Sequence, residues 1–176
     1  MKALLLTSSL SGQTCKIMKT IADNMPILHY DIMDIHQKPI INWEDYQFVL
    51  IGASVRYGHY HKLLYRFIEK NYSVLNNKPS AFFGVNLVAR KPHRASVTTN
   101  PYTIKLLQEI KWQPKQSAVF AGAVLWSKYK FWQKIIMIFI MKMTKGPTDT
   151  TQEIEYTDWE QVKSFAQSLF PDHTKT

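Results

Sequence analysis

The sequence is poor in the residues that covalent and metal chemistry most often requires. It has one cysteine, Cys15, among 176 residues. A single thiol excludes an intramolecular disulfide and any zinc site built on several thiolates, and it fits a reducing cytoplasm. Cys15 stands beside small and apolar residues, where a buried thiol acting as a small hydrophobe is expected. No set of His, Cys or carboxylate residues has metal-ligand spacing, so no metal is expected. Long apolar runs are also missing. None reaches the ~20 residues of a membrane span, and the apolar start at Ala3-Leu4-Leu5-Leu6 is too short for a signal peptide and reads as a buried strand. Neither the three-glycine dinucleotide fingerprint nor the Gly-Lys-Ser/Thr ending of a triphosphate loop occurs. Acidic residues are scarce, 13 against 22 Lys plus Arg, and the resulting charge of +9 favours anionic partners such as nucleic acid, anionic lipid or an acidic small molecule. There is no internal repeat, no low-complexity tract and no linker-like cluster of Pro and Gly.

Apolar residues make up 45% of the chain, enough for a substantial core. Short apolar runs alternate with segments of helical period, the pattern of a parallel sheet wrapped by helices. Strands are expected over 3–6, 27–31, 48–51, 81–85 and 118–124, and helices over 13–24, 60–71 and 101–110. A last helix is expected after Tyr156, with Thr157 as N-cap and Glu160 completing a capping box, running to about residue 169. One α/β domain over 1–176 follows, broken only by a long insertion at 125–156.

The first strand leads into Ser9-Leu10-Ser11-Gly12-Gln13-Thr14, after which helical period begins. Backbone N–H groups at a helix N-terminus carry partial positive charge, Gly12 allows close approach, and the hydroxyls of Ser9, Ser11 and Thr14 can add hydrogen bonds, so a phosphate can sit there. An ordinary turn with an N-cap has the same composition. This segment resembles the Thr/Ser-x-Thr/Ser-Gly-x-Thr loop of flavodoxins. The resemblance implies a three-layer sandwich with a five-stranded parallel sheet in the order 2-1-3-4-5, and FMN as cofactor. Its ring would lie at the carboxyl ends of the central strands, so Ser54, Val55, Arg56, Tyr57 and Gly58 after strand three, and Asn86, Leu87, Val88, Ala89 and Arg90 after strand four, are expected to complete the site.

Four further segments carry a closer resemblance: Ile51-Gly52-Ala53-Ser54-Val55-Arg56-Tyr57-Gly58-His59-Tyr60-His61, Val85-Asn86-Leu87-Val88-Ala89-Arg90-Lys91-Pro92, Met141-Lys142-Met143 and Tyr156-Thr157-Asp158-Trp159-Glu160. They are similar to the flavodoxin-like, quinone-dependent protoporphyrinogen oxidases of bacteria. That resemblance implies oxidation of protoporphyrinogen IX to protoporphyrin IX in haem synthesis, with electrons passed through FMN to menaquinone or ubiquinone. It also implies a peripheral protein on the cytoplasmic face of the inner membrane. Relatives often carry charged residues at the positions of Leu10 and Ser11, which bears on those two side chains and leaves the backbone cradle intact.

The porphyrinogen propionates call for cations at the flavin edge, and Arg56, Arg90, Lys91 and Arg94 are the candidates, Arg90 foremost. Solvated loop residues are the alternative. His59, His61 and His93 are candidates for proton transfer near neutral pH, or else caps and surface residues. Tyr57 is expected either against the flavin ring or in strand packing. Within the insertion, seven consecutive apolar residues, Ile135 to Met141, are flanked by Lys128, Lys130, Lys134, Lys142 and Lys145 with no acidic residue from 126 to 145. This composition fits contact with an anionic membrane surface through 126–145. A core helix or an interface in a homo-oligomer is the alternative. Two rival functions remain: an electron-carrying flavodoxin, which is typically acidic, and a nucleic-acid-binding module, which needs neither a flavin nor the apolar insertion. No nucleic acid partner is expected.

Overall fold

The apolar run near the N-terminus lies at the centre of the sheet, because both of its faces are covered. In a computed structural model, which describes residues 1–9, 12–27, 29–143 and 145–170, strand β1 spans Lys2–Ser8 and is buried from Ala3 onward. Side chains alternate across a strand. Ala3 and Leu5 therefore enter one core with Phe48, Leu50, Ala81 and Phe83, while Leu4 and Leu6 enter the other with Val49, Ile51 and Phe82. Each such apolar side chain contributes about 1.5–3 kcal/mol on full burial.

The sheet is completed by β2 (His29–Asp34), β3 (Phe48–Arg56), β5 (Ser80–Asn86) and β6 (Gln116–Ala121), with a short β4 (His59–Tyr60) antiparallel to β3. The five long strands are parallel and ordered β2-β1-β3-β5-β6, the doubly wound order expected. Helices α1 (Gln13–Asn24) and α5 (Trp159–Ser168) supply Ile17, Met18, Ile21, Val162 and Ala166 to the first core. Helices α2 (Lys62–Asn77) and α3 (Pro101–Glu109) supply Leu64, Ile68, Leu75 and Leu106 to the second. At Gly52 a Cβ would stand 2.2 Å from the Phe83 ring, so the close pairing of β3 with β5 depends on glycine there.

Several expectations need correction. The fifth strand does not run unbroken over 118–124. It stops at Ala121, and after Gly122 a separate strand, β7 (Ala123–Val124), pairs antiparallel with β8 (Ile154–Glu155) at the far end of the insertion. The insertion also holds helix α4 (Phe131–Met143), whose Met137 and Met141 pack with Val124 and Trp126 in a small core of their own. The second helix starts at Lys62, and Tyr60 is instead a buried residue of β4. The cap of α5 is Asp158, which accepts from the N–H groups of Glu160 and Gln161, because the Thr157 hydroxyl donates to the Ala121 carbonyl at 2.8 Å. Cys15 is half-buried, not enclosed.

Candidate active site

The carboxyl ends of β1, β3 and β5 place three loops together, as parallel strands of this order do. After β1 the chain reaches Ser9; Leu10 and Ser11 lie outside the described residues. Gly12 has φ +85°, a left-handed conformation that a β-carbon penalises, and α1 begins at the next residue with no acidic side chain in its first turn. Thr14 is wholly buried, and its Oγ1 has no hydrogen-bond partner among the described residues. A buried hydroxyl without a partner costs about 1–3 kcal/mol, so this one implies an acceptor or donor supplied from outside the chain. The positive end of a helix, a glycine cradle and an orphaned hydroxyl together fit a phosphate ester. Across the turn, Ser54 Oγ on β3 donates to Ser9 Oγ at 3.2 Å.

Gln13 borders the cleft beside this turn, and its side chain is engaged. Its side-chain amide donates to Glu155 at 2.6 Å and to Thr157 at 2.9 Å, tying the start of α1 to the end of the insertion. Burial alone would raise the Glu155 carboxyl, but the bonds from Gln13 and Lys16 and the Lys16 charge outweigh it and hold the pKa below the usual range.

Beside the turn lies a cleft with two lobes that meet at Ser54, Arg56 and Tyr57. One lobe is lined by Gln13, Val55, Gly58, Asn86, Leu87 and Val88 from the expected segments, and by Tyr102, Gly122, Tyr129, Met137 and Ile140. Tyr57 and Gly58 both have positive φ and form the two-residue turn between β3 and β4. That turn lifts Tyr57, 39% exposed, to the mouth of the cleft. The Arg56 guanidinium stands 6.0 Å from the ring centres of both Tyr57 and Tyr129. Asn86 shapes the opposite wall: its Oδ1 accepts from Ala89 N–H at 3.0 Å and from the Asn100 amide at 3.0 Å.

The other lobe holds three imidazoles, His36, His59 and His61, with Trp132 and Gln133 of α4 beside them. The rings of His36 and His61 are 4.6 Å apart, and His36 Nε2 lies 3.0 Å from Ser8 Oγ. His61 Nδ1 accepts the Leu63 N–H at 3.2 Å. Desolvation, with the neighbouring His36, His59 and Lys62 charges, lowers the His61 pKa and favours its neutral ring.

The other candidates are placed elsewhere. Arg90 lines neither lobe; its Nη1 donates to the Leu87 carbonyl at 2.8 Å and its guanidinium lies 5.6 Å from the Tyr156 ring centre. Lys91 is half-buried, and His93 and Arg94 are exposed, on the short helical turns that follow. Ala89 is buried with Val119 and Ala121, away from the cleft. His36, Tyr102, Gly122 and Tyr129 went unnoticed in the sequence. Of these, His36 carried a usable signal, standing two residues past the end of a strand at the edge where such folds bind ligands. Among the described residues no group of three or more His, Cys, Asp or Glu is placed to hold a metal ion.

Comparisons with known proteins bear on the family and the fold. The flavodoxin domain family matches residues 4–151. Protoporphyrinogen IX dehydrogenase [quinone] of Escherichia coli strain K12 is 43% identical over 171 residues, covering 96% of this chain and 94% of that protein. The protein of the same name from Leishmania major is 43% identical over 168 residues, covering 94% of this chain and 73% of its own. Among solved structures, oxidised Flavodoxin 1 from Bacillus cereus superimposes with a TM-score of 0.52 at 16% identity, covering 98% of this chain and 99% of its own, a likeness of fold. The chain belongs to the flavodoxin domain family and, within it, to the protoporphyrinogen IX dehydrogenases that use quinone.

Proposed function

We propose that the protein oxidises protoporphyrinogen IX to protoporphyrin IX and passes the electrons to a membrane quinone, with FMN as its cofactor. Meeting of the two family loops, 54–58 and 86–88, with insertion residues Tyr129, Met137 and Ile140 around one cleft beside the phosphate turn carries this reading. Bound FMN supplies the two-electron redox chemistry. The substrate gives up six electrons and six protons, which convert three quinones to three quinols.

The residues of this chain bind and orient. Gly12, Thr14 and the first turn of α1 hold the phosphate, and Ser54 steadies Ser9 beside it. Arg56, at the junction of the lobes, is placed to receive a propionate. Arg90 takes a structural part in our reading, joining the 87–90 turn to Tyr156. His61, neutral with Nδ1 accepting from Leu63, carries its proton on Nε2 and can donate a hydrogen bond into the lobe there, while His59, whose Nδ1 donates to the Tyr57 carbonyl, has Nε2 to take a proton. No helix among the described residues is long and apolar enough to cross a membrane. Contact with the quinone's bilayer therefore falls to α4, which exposes Phe131, Trp132, Ile135, Ile136, Phe139 and Met143. At 100° per residue these six occupy an arc of about 140°. This face would rest on the cytoplasmic side of the inner membrane.

Anaerobic incubation of the purified protein with protoporphyrinogen is expected to yield porphyrin fluorescence only when a quinone is added. Fluorescence that appears equally without quinone rejects the proposed acceptor, and none with it rejects the activity. Arg56→Ala should raise KM for the porphyrinogen about tenfold while bound FMN stays at the native level, since a charge-assisted bond is worth about 1.5–3 kcal/mol. An unchanged KM would remove Arg56 from the propionate site.

A further inference from the structure

The insertion reaches the phosphate turn directly. A Cβ at Gly12 would stand 3.3 Å from Lys128 Nζ, so the Lys128 ammonium lies over the first turn of α1. Lys128 belongs to the short helical turn Trp126–Lys128, held on one side by Trp126 in the small core under α4 and on the other by Ser127, whose hydroxyl donates to Glu153. The sequence placed Lys128 with the lysines that meet lipid headgroups, but its position groups it with Gly12 and the buried, orphaned Thr14 hydroxyl.

We propose that Lys128 is a ligand of the cofactor phosphate, so that binding of the cofactor and docking of the insertion onto the fold stabilise each other. The inference rests on the FMN reading and deepens it. A helix N-terminus offers only partial charge to a phosphate ester; a full ammonium at the same spot supplies the missing counter-charge. Because Lys128 lies on the segment leading into α4, it links the presence of phosphate to the placement of the helix that roofs the cleft. The coupling is reciprocal, as any such linkage must be.

The test compares two flavins with the same ring. Apoprotein is titrated with FMN and, separately, with riboflavin, which lacks the phosphate, and binding is followed by quenching of flavin fluorescence. Lys128→Gln is expected to weaken FMN about tenfold and leave riboflavin unchanged, with Lys128→Arg close to native. Hydrogen exchange supplies a second readout. FMN should protect the amides of 126–143 more than riboflavin does in the native protein, and Lys128→Gln should abolish that difference. Lys128 is exposed, so the variant should melt with the native apoprotein. FMN affinity within twofold of native in Lys128→Gln, or an equal loss for both flavins, overturns the proposal while leaving the flavin reading intact. If native apoprotein binds neither flavin, the flavin reading itself fails and takes the proposal with it.

Discussion

Thr14→Val should move two quantities in opposite directions. In the apoprotein the Thr14 hydroxyl is buried without a partner among the described residues, and replacing it with a methyl group removes that penalty. The apoprotein is therefore expected to gain about 1 kcal/mol in denaturant unfolding. FMN binding should fall about 10- to 100-fold, because a hydrogen bond to a charged phosphate worth about 1.5–3 kcal/mol is lost. Few substitutions stabilise a fold while impairing its ligand, and a merely structural threonine would do neither. Flavin titration of the apoprotein and urea melts measure both; an apoprotein that is destabilised, or an unaltered FMN affinity, would show that the hydroxyl has another partner.

Converting Phe131, Trp132, Ile135 and Phe139 of α4 to Gln should abolish sedimentation with vesicles rich in anionic phospholipid. The four side chains are 80%, 52%, 54% and 63% exposed, and none belongs to the buried clusters of the described residues. Inserting most of that surface into lipid is worth several kcal/mol at ~25 cal/mol per Å², so the loss should be about 100-fold or more. Gln is a good helix former, and α4 keeps Met137 and Met141 on its inner face, so the fold and flavin content should persist. Neutralising Lys130, Lys134, Lys142 and Lys145 should produce a smaller loss, at ~1 kcal/mol per charge, that vanishes in high salt. Vesicle binding that survives the four-Gln change points instead to an interface between copies of this chain, which sedimentation equilibrium of the native protein would reveal as a dimer.

The contrast between these two sites explains what could be read from the sequence. The inner strands announced themselves because each is buried on both faces and so appears as an apolar run, as in Leu4 to Leu6 and Val49 to Ile51, whereas the edge strand β2 is partly exposed throughout and its bounds were harder to read. The phosphate turn was legible because its demands are local: a residue that tolerates φ +85° and a small hydroxyl at the helix start. Long-range decisions were not. His36 meets His61 only through the register of β2 on β1 and the start of α2, which no nearby pattern encodes. Thr157 and Asp158 are both good caps, and the spacing to Glu160 favoured the threonine. Gln13 and Ala121, far away in sequence, had already engaged its hydroxyl. Arg90 stood out in the sequence as a cation at the flavin edge, but the Leu87–Arg90 turn that brings its Nη1 to the Leu87 carbonyl has no local pattern to announce it. Helix α4 gave a blurred signal because it is apolar on both sides, one packed on Trp126 and the other uncovered.

The bond from Gln13 to Thr157 spans 144 residues. During synthesis Gln13 emerges well before the segment that braces it, Glu155 to Thr157. The nascent polypeptide thus carries the start of α1 unbraced until that later segment has been made. A chain cut before Glu155 is expected to keep Gly12 and the first turn of α1 but to lose both hydrogen bonds that anchor the Gln13 amide.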